Sequence, residues 1–184
     1  SQIYVDKTEL IQYTNSVLFG EQKYICVNRP RRFGKSMTAN MLTAYYSRGC
    51  DSRELFQGLK IATHTDFEKH LNQYNVIHLN MRDYLTESEN IQQLIQFIEE
   101  DLLDELQQEF SDIRMPRRKT LVKVLEQAFI QYEIPFVFII DEWDCIFRAH
   151  KSDAASQKDY LDFLRNLLKD KSYIALAYMT GILP

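Results

Sequence analysis

Cysteine is scarce in this sequence, and no run of apolar residues is long enough to cross a membrane. The 184 residues include only three cysteines, at positions 26, 50 and 145. Their number is odd, and their spacing matches no metal-ligand pattern. The longest apolar runs have the length of strands, and no signal peptide is visible. These absences predict a protein of the reducing cytoplasm that makes no contact with a membrane.

The sequence also has no excess of positive charge and no sign of an internal domain boundary. The formal net charge is −4, which gives no overall indication of nucleic-acid binding. No internal repeat, low-complexity tract or linker divides the chain. A chain of this length can bury a sizeable core. We therefore expect one domain over residues 1–184.

The segment KYICVNRPRRFGKS, residues 23–36, has the layout of a phosphate-binding loop that lacks its first glycine. An apolar strand is predicted over residues 24–27, and Gly34-Lys35-Ser36 opens an amphipathic helix. In this layout the free N–H groups and the dipole of the helix point at an anion. The usual pattern is Gly, four residues, then Gly-Lys followed by Ser or Thr. Here Arg29 stands in the place of the first glycine.

The residues that follow Arg29 change how such a loop would hold a phosphate. Pro30 drives Arg29 towards an extended backbone and removes one N–H donor from the loop. Arg31 and Arg32 bring cationic side chains to the same place. We therefore expect a cradle that relies more on side-chain charge than on backbone amides, with the anion near the first amides of the helix. The residues predicted to bind the nucleotide are Arg31, Arg32, Phe33, Gly34, Lys35, Ser36 and Met37.

A second motif, PFVFIIDEWD, combines a buried strand with two carboxylates. The five apolar residues 136–140 are typical of a strand that is buried on both faces of a parallel sheet. Asp141 and Glu142 follow at its carboxyl end, where open α/β sheets bind their ligands. One acid there can hold Mg²⁺, and a second can orient or deprotonate water. The plainer alternative is an acidic helix N-terminus, which the helix dipole favours.

Together these motifs resemble the AAA-ATPase-like family of bacterial P-loop proteins, the predicted AAA-ATPases. The resemblance rests on YVDKT at residues 4–8, RPRRFGKS at 29–36, DEWD at 141–144 and TGI at 180–182. It covers nearly the whole chain, and the arginine-rich loop is its most specific part. It implies an α/β fold with a three-layer parallel sheet. It also implies a fragment that lacks the lid and a downstream restriction-endonuclease-like domain, which would be the route to DNA.

The resemblance and the two motifs lead to the hypothesis of an ATP-binding, Mg²⁺-dependent ATPase. Lys35 would contact the β- and γ-phosphates, Ser36 and Asp141 would hold Mg²⁺, and Glu142 would activate water. The resemblance to AAA-type sensors implies that the hydroxyl of Thr180 senses the γ-phosphate. The predicted catalytic residues are thus Lys35, Glu142 and Thr180, and the predicted metal ligands are Ser36 and Asp141.

Two other functions remain open. The first is a P-loop module that binds nucleotide or nucleic acid without turnover through Arg29, Arg31 and Arg32. The second is a small-molecule kinase, which is disfavoured because two adjacent acids are better suited to activating water. The basic run at residues 117–119 could contact nucleic acid, but a solvated loop is favoured. The oligomeric state is left open.

Apolar residues at helical spacing predict helices between the strands. Asp6, with Glu9 three residues later, is typical of a helix N-cap, and this role is favoured over a contact with the nucleotide base or ribose. Further helices are predicted over residues 91–110, 120–132 and 153–169, with shorter ones over 55–61 and 67–74.

One more strand is predicted over residues 76–81. Structural roles are favoured over functional ones for the polar residues in it and after it. His78 is expected to be a satisfied core or edge histidine rather than a metal ligand. Arg82 and Asp83 lie at the carboxyl end of this strand, near the expected ligand site, but a solvated loop is favoured there.

The positions of Glu142 and Thr180 predict the order of the strands. In one group of P-loop proteins the Asp-bearing strand neighbours the P-loop strand. In the other an extra strand lies between them, a catalytic Glu often follows the Asp, and a polar sensor ends the extra strand. Glu142 directly follows Asp141 and Thr180 follows strand 173–179, so we expect the inserted-strand type. Strand 174–179 should then lie in parallel between strands 24–27 and 136–140, with strand 76–81 outside. Direct pairing of 24–27 with 136–140 would favour the kinase.

Overall fold

The structure, a computed structural model, describes residues 2–28 and 35–182, with side chains described for residues 8–28 and 37–182. Helices and strands alternate along the described chain, and two 3₁₀ helices, Arg53–Phe56 and Lys60–Thr63, lie between α2 and α3. In chain order the elements are α1 (Gln2–Val17), β1 (Tyr24–Asn28), α2 (Lys35–Tyr46), α3 (Phe67–His70), β2 (Asn75–Asn80), α4 (Met81–Glu87), α5 (Ile91–Glu109), α6 (Leu121–Tyr132), β3 (Phe136–Asp141), α7 (Cys145–Ala149), α8 (Ala154–Leu168) and β4 (Ile174–Gly181).

The four strands form one parallel sheet in the order β1-β4-β3-β2. The last strand of the described chain, β4, therefore lies between β1 and β3 and pairs in parallel with both. The strand β2 pairs with the other edge of β3. The predicted strand order is confirmed, and the direct pairing of β1 with β3 that would favour a kinase does not occur.

Apolar side chains on both faces of the sheet make this a three-layer α/β fold. Every residue of β3 is buried, because successive side chains of a strand point to opposite faces and both faces are covered. Phe136, Phe138 and Ile140 pack into a cluster with apolar residues of helices α4 to α8. Val137 and Ile139 pack on the other face, into a cluster that includes residues of α1, α2 and α3. The predicted fold class is confirmed.

Side-chain caps fix the start of several helices close to the predicted bounds. Asn90 accepts from the N–H of Gln93 at the start of α5, and Thr120 accepts from the N–H of Lys123 at the start of α6. Each cap satisfies one of the N–H groups that a first helical turn leaves without an intrahelical partner. The basic run 117–119 lies in an exposed connection before α6, as expected. No helix of the described residues combines the length and apolar character needed to cross a membrane.

Three local predictions are wrong. Helix α1 begins at Gln2, so Asp6 lies inside the helix and not at its N-cap. Helix α3 ends at His70 and not at residue 74. The segment 55–61, predicted as a short helix and a turn, contains parts of two 3₁₀ helices, which are tighter and shorter than an α-helix.

The segment after β2 also differs from its prediction. Asn80 ends the strand, and its Oδ1 accepts from the N–H groups of Arg82, at 3.0 Å, and Asp83, at 3.4 Å. This double cap starts α4 at Met81, because an Asn side chain can satisfy the free donors of a first turn. Arg82 and Asp83 therefore lie on a helix and not in a solvated loop.

Candidate functional site

The carboxyl ends of the strands bring the predicted acidic and polar residues to one edge of the sheet. Asp141 ends β3, and it is aligned with Asn80, the last residue of β2. Thr180 lies near the end of β4, where it is aligned with Val27 of β1. Parallel strands end at a common edge, and ligands of open α/β sheets bind there. We define this edge, with the first turns of the helices that follow it, as the candidate site.

Asp141 is held from both neighbouring strands. Its side chain is almost fully buried, and the hydroxyl of Thr180 donates to its Oδ1 over 3.0 Å. Its Oδ2 lies 2.7 Å from Nε2 of His78 on β2. Because a carboxylate only accepts hydrogen bonds, Nε2 of His78 is the donor. The structure thus brings two predicted site residues, Asp141 and Thr180, into contact and adds a third residue, His78, that sequence reasoning treated as ordinary.

Glu142 turns away from β3 and meets Arg82. Its φ is 52°, a left-handed backbone that costs a non-glycine residue about 1 kcal/mol. The N–H at Nε of Arg82 lies 3.2 Å from each of its carboxylate oxygens. Glu142, the predicted water-activating acid, therefore forms an ion pair with Arg82 in the first turn of α4. In this pair 17% of the glutamate side chain and 45% of the arginine side chain are exposed.

The residues after Glu142 tie β3 to the end of β4. The N–H of Trp143 donates to the carbonyl of Thr180 over 3.0 Å. Asp144, which is 1% exposed, accepts from the N–H of Ile182 over 2.9 Å and pairs with Arg148 at 3.0 Å. These contacts fix the Thr180 segment against the DEWD motif. Sequence reasoning assigned no role to Asp144.

A polar cavity of about 440 Å³ opens beside Asp141. Asn40 of α2 is part of its wall, so the first turns of α2 lie next to the carboxyl end of β3. The hydroxyl of Tyr84 donates to Oδ2 of Asp101 across the outer wall over 2.7 Å. The lining residues are Asn40, His78, Asn80, Asp83, Tyr84, Glu87, Asp101 and Asp141.

A larger groove of about 660 Å³ lies between β1 and α8 and contains none of the predicted site residues. Its wall includes apolar side chains such as Tyr24, Leu164 and Met179. The predicted acidic and polar site residues converge at Asp141 and not in this groove, although Lys23, Arg165 and Lys169 also line the groove. We therefore place the candidate site at the sheet edge, although the cavity there is smaller.

The predicted phosphate-binding residues are only partly within the described chain. Arg29, predicted to be extended, and Arg31, Arg32, Phe33 and Gly34 lie outside the described residues. Lys35 and Ser36 form the start of α2, where their backbone is helical, as predicted. Ser36 precedes Asn40 by one helical turn, which brings the backbone of Lys35 and Ser36 towards the Asp141 cavity. Met37 is partly buried.

The donor groups at this edge fit a magnesium ion that binds together with a nucleotide. The described side chains contain no cluster of three or more His, Cys, Asp or Glu suited to a metal. Mg²⁺ in nucleotide sites is usually held by one or two protein oxygens together with phosphate oxygens and water. The buried carboxylate of Asp141 supplies such an oxygen. Cys145 begins α7, which follows β3. It does not compete with water as a nucleophile, because burial raises the pKa of its thiol to about 11.

Comparisons with known proteins identify the family of this chain. A family model described as Predicted AAA-ATPase matches residues 1–184. No curated protein matches the sequence. Among solved structures, Cdc6p from Pyrobaculum aerophilum superposes with a TM-score of 0.41 at 14% identity. The match covers 96% of this chain and 38% of the Cdc6p chain, and at that TM-score it carries no argument about fold or activity.

Proposed function

This chain belongs to the predicted AAA-ATPase family and so to the ATP-binding P-loop proteins, and we propose that it hydrolyses ATP in a Mg²⁺-dependent reaction. The observation that carries the proposal is the hydrogen bond between Thr180 and Asp141 at the carboxyl edge of the sheet. It joins a polar residue on the inserted strand to the acid on the neighbouring strand. Asp141 lines the same cavity as Asn40 of α2, the helix that begins at Lys35.

Each residue has a role that its chemistry allows. Lys35 holds the β- and γ-phosphates as a point charge, and the hydroxyl of Ser36 and the carboxylate of Asp141 hold the metal. Mg²⁺, when bound, neutralises negative charge on the phosphate oxygens. Glu142 orients the attacking water and accepts its proton. The hydroxyl of Thr180 holds the Asp141 carboxylate, and we assign to it the sensing of the γ-phosphate.

The nucleotide itself is proposed to lie across the start of α2. We assign binding of the phosphates to Arg31, Arg32, Phe33 and Gly34, together with the amides from Lys35 to Met37. A helix N-terminus favours an anion, because its free N–H groups and its dipole both act on it.

Binding of nucleotide or nucleic acid without turnover is the second candidate function. The observation that favours it is the ion pair in which both oxygens of Glu142 accept from Arg82. A carboxylate held in this way has fewer acceptor sites free for an attacking water, because each of its oxygens already accepts from the arginine. In that case the protein would bind ATP without hydrolysing it, and its ATP-bound form would be the functional one.

Two further points rest on composition and family resemblance alone. We propose a cytoplasmic protein, in keeping with three cysteines that are all free thiols. We also propose that any contact with DNA occurs through a downstream nuclease-like domain, as the resemblance implies.

ATP turnover by the full-length protein, with and without Mg²⁺ and with and without DNA, tests the proposal. We expect Mg²⁺-dependent hydrolysis that falls about 100-fold or more in Glu142→Gln, since general-base catalysis contributes at least that much. Nucleotide binding should survive in this variant. Glu126→Gln, an exposed position on α6, is the matched control and should keep full activity.

The outcomes separate the candidate functions. Binding of ATP without turnover in the wild type would favour the second function. Absence of ATP binding would contradict the ATPase and would leave only the nucleic-acid form of the second function. Turnover that persists in Glu142→Gln would remove the water-activating role from Glu142.

A further inference from the structure

His78 is placed to act on Asp141 by the register of the sheet. It is aligned with Ile139 of β3, two residues before Asp141. Residues two apart on a strand point to the same face. His78 therefore shares a face with Asp141 and reaches towards the carboxyl edge, where its Nε2 lies 2.7 Å from Oδ2.

Thr180 approaches the same carboxylate from the opposite side. The pairing of β3 with β4 aligns Ile140 with Met179, so Thr180 follows in line with Asp141. Its hydroxyl donates to Oδ1 over 3.0 Å. One carboxylate is thus held by one hydrogen bond from each neighbouring strand, and each oxygen has a partner of its own.

We propose that His78 is a positioning residue for the metal-binding carboxylate of Asp141. This inference rests on the proposed function, because it assigns His78 a role only if Asp141 helps to hold Mg²⁺. A single hydrogen bond leaves a carboxylate free to turn about its terminal torsion, which has a broad energy minimum. Two bonds to different oxygens from two fixed strands remove that freedom.

The two hydrogen bonds leave Asp141 able to accept more. Each carboxylate oxygen has about two acceptor sites, and His78 and Thr180 use one on each oxygen. The remaining acceptor sites are available to a cation or to its bound water. His78 itself is not a metal ligand in this scheme, since its Nε2 donates to the carboxylate and the described side chains form no metal cluster around it.

The role predicts a specific defect. Loss of the His78 hydrogen bond should weaken binding of the metal, because groups that orient metal ligands typically contribute about 10- to 100-fold to metal affinity. It should leave the metal-free affinity for nucleotide unchanged, because His78 contacts the carboxylate of Asp141 and is not among the residues proposed to hold the phosphates. A purely structural histidine would instead lower both affinities or the stability.

Binding of Mn²⁺, as a probe for Mg²⁺, tests this in the presence of ADP with the full-length protein. Free Mn²⁺ is followed by electron paramagnetic resonance, and ADP affinity is measured separately in EDTA by calorimetry. The variants are His78→Phe, which keeps a ring but cannot donate, and His78→Gln, which keeps an N–H donor. His64→Phe, at a histidine that does not line the cavity, is the control.

We expect at least about tenfold weaker Mn²⁺ binding in His78→Phe, near wild-type binding in His78→Gln and His64→Phe, and equal ADP affinity in EDTA for all. Wild-type Mn²⁺ affinity in His78→Phe would overturn the inference and leave the proposed function intact. So would equal defects in the Phe and Gln variants, because an N–H donor would then not be what the site requires. Unfolding of both variants would overturn it as well, because His78 would then be needed for the fold. If the wild type binds no Mn²⁺ with ADP, the proposed function fails and the inference fails with it.

Discussion

The carboxylate of Asp144 occupies the space that a side chain at Gly181 would need. A Cβ built on Gly181 would lie 2.6 Å from Cγ of Asp144 and 2.7 Å from both of its oxygens. Real Cβ atoms do not approach other atoms so closely. Because Asp144 also accepts from the N–H of Ile182, the acid cannot move aside without giving up that bond. The DEWD and TGI segments therefore depend on one another.

Replacing this glycine should destabilise the protein. We expect Gly181→Ala to lower the free energy of unfolding by about 1 to 3 kcal/mol, the usual range for overpacking a buried site. Urea denaturation measures it. Gly49→Ala is the matched control, because its Cβ would meet nothing closer than 3.5 Å. In a double variant with Asp144→Ala the clash is gone, so the combined loss should be smaller than the sum of the single losses. Strict additivity would contradict the packing described.

Thr180→Val should cost both stability and activity. The substitution keeps the shape of a side chain that is 1% exposed but removes the donor to Asp141. Hydrogen bonds to charged groups are worth about 1.5 to 3 kcal/mol, and we expect a loss of that order in the free energy of unfolding. Thr180→Ser keeps the hydroxyl and should behave nearly as the wild type does. Equal stability of the Val variant and the wild type would show that the bond contributes nothing.

Removing Arg82 should release Glu142. The pair is partly exposed, and such pairs are worth up to about 1 kcal/mol. We therefore expect Arg82→Ala to raise the basal rate of ATP hydrolysis by up to about fivefold, with nucleotide affinity unchanged. Arg117→Ala, in the exposed connection before α6, is the control. A lower rate in Arg82→Ala would show that the arginine orients Glu142 for catalysis instead of restraining it.

Lys35→Ala should weaken ATP binding by about tenfold or more, because a charge-assisted contact with phosphate is worth about 1.5 to 3 kcal/mol. The free energy of unfolding should change little. Calorimetric titration with ATP measures the affinity. Lys23→Ala, before β1, is the control. If the Lys35 variant binds ATP as tightly as the wild type, the phosphate site is elsewhere.

His70 should make stability dependent on pH. Burial, and to a lesser degree the charge of Lys69, lower its pKa from 6.5 in the folded state, and its Nδ1 lies 2.7 Å from the hydroxyl of Tyr74. A histidine with a lowered pKa binds fewer protons when folded than when unfolded. Its contribution to stability is therefore complete above pH 6.5 and is lost as the pH falls from 6.5 through the lowered pKa. Urea denaturation at a series of pH values should show a steeper loss for the wild type than for His70→Gln. Parallel curves would contradict the assignment.

The strand order could be predicted from a few residues. The apolar run 136–140 identified the buried central strand, because five successive apolar residues are stable only where both faces are covered. The positions of Glu142 and Thr180 then placed β4 beside β3, as the structure shows. These features are local in sequence, and the right-handed connection of parallel strands leaves few other arrangements.

The contacts within the site could not be predicted in the same way. The bonds from His78 to Asp141 and from Arg82 to Glu142 join residues about 60 positions apart and depend on the register between β2 and β3. A slip of one residue would turn His78 to the other face. The one local signal that was available is Asn80, whose preference for the N-cap position would have predicted α4 and placed Arg82 on it.

The position of β4 also has a consequence for how the protein is made. Within the described residues, β1 has β4 as its neighbour in the sheet, and β4 is the last of the described strands to leave the ribosome. During synthesis β1 therefore has no strand partner until almost all of the described chain has been translated. Pairings between distant segments form slowly, and unpaired strand edges favour aggregation. Shortened chains that stop before Ile174 should accordingly need chaperones, while chains that pass Gly181 can assemble the site in a single late step.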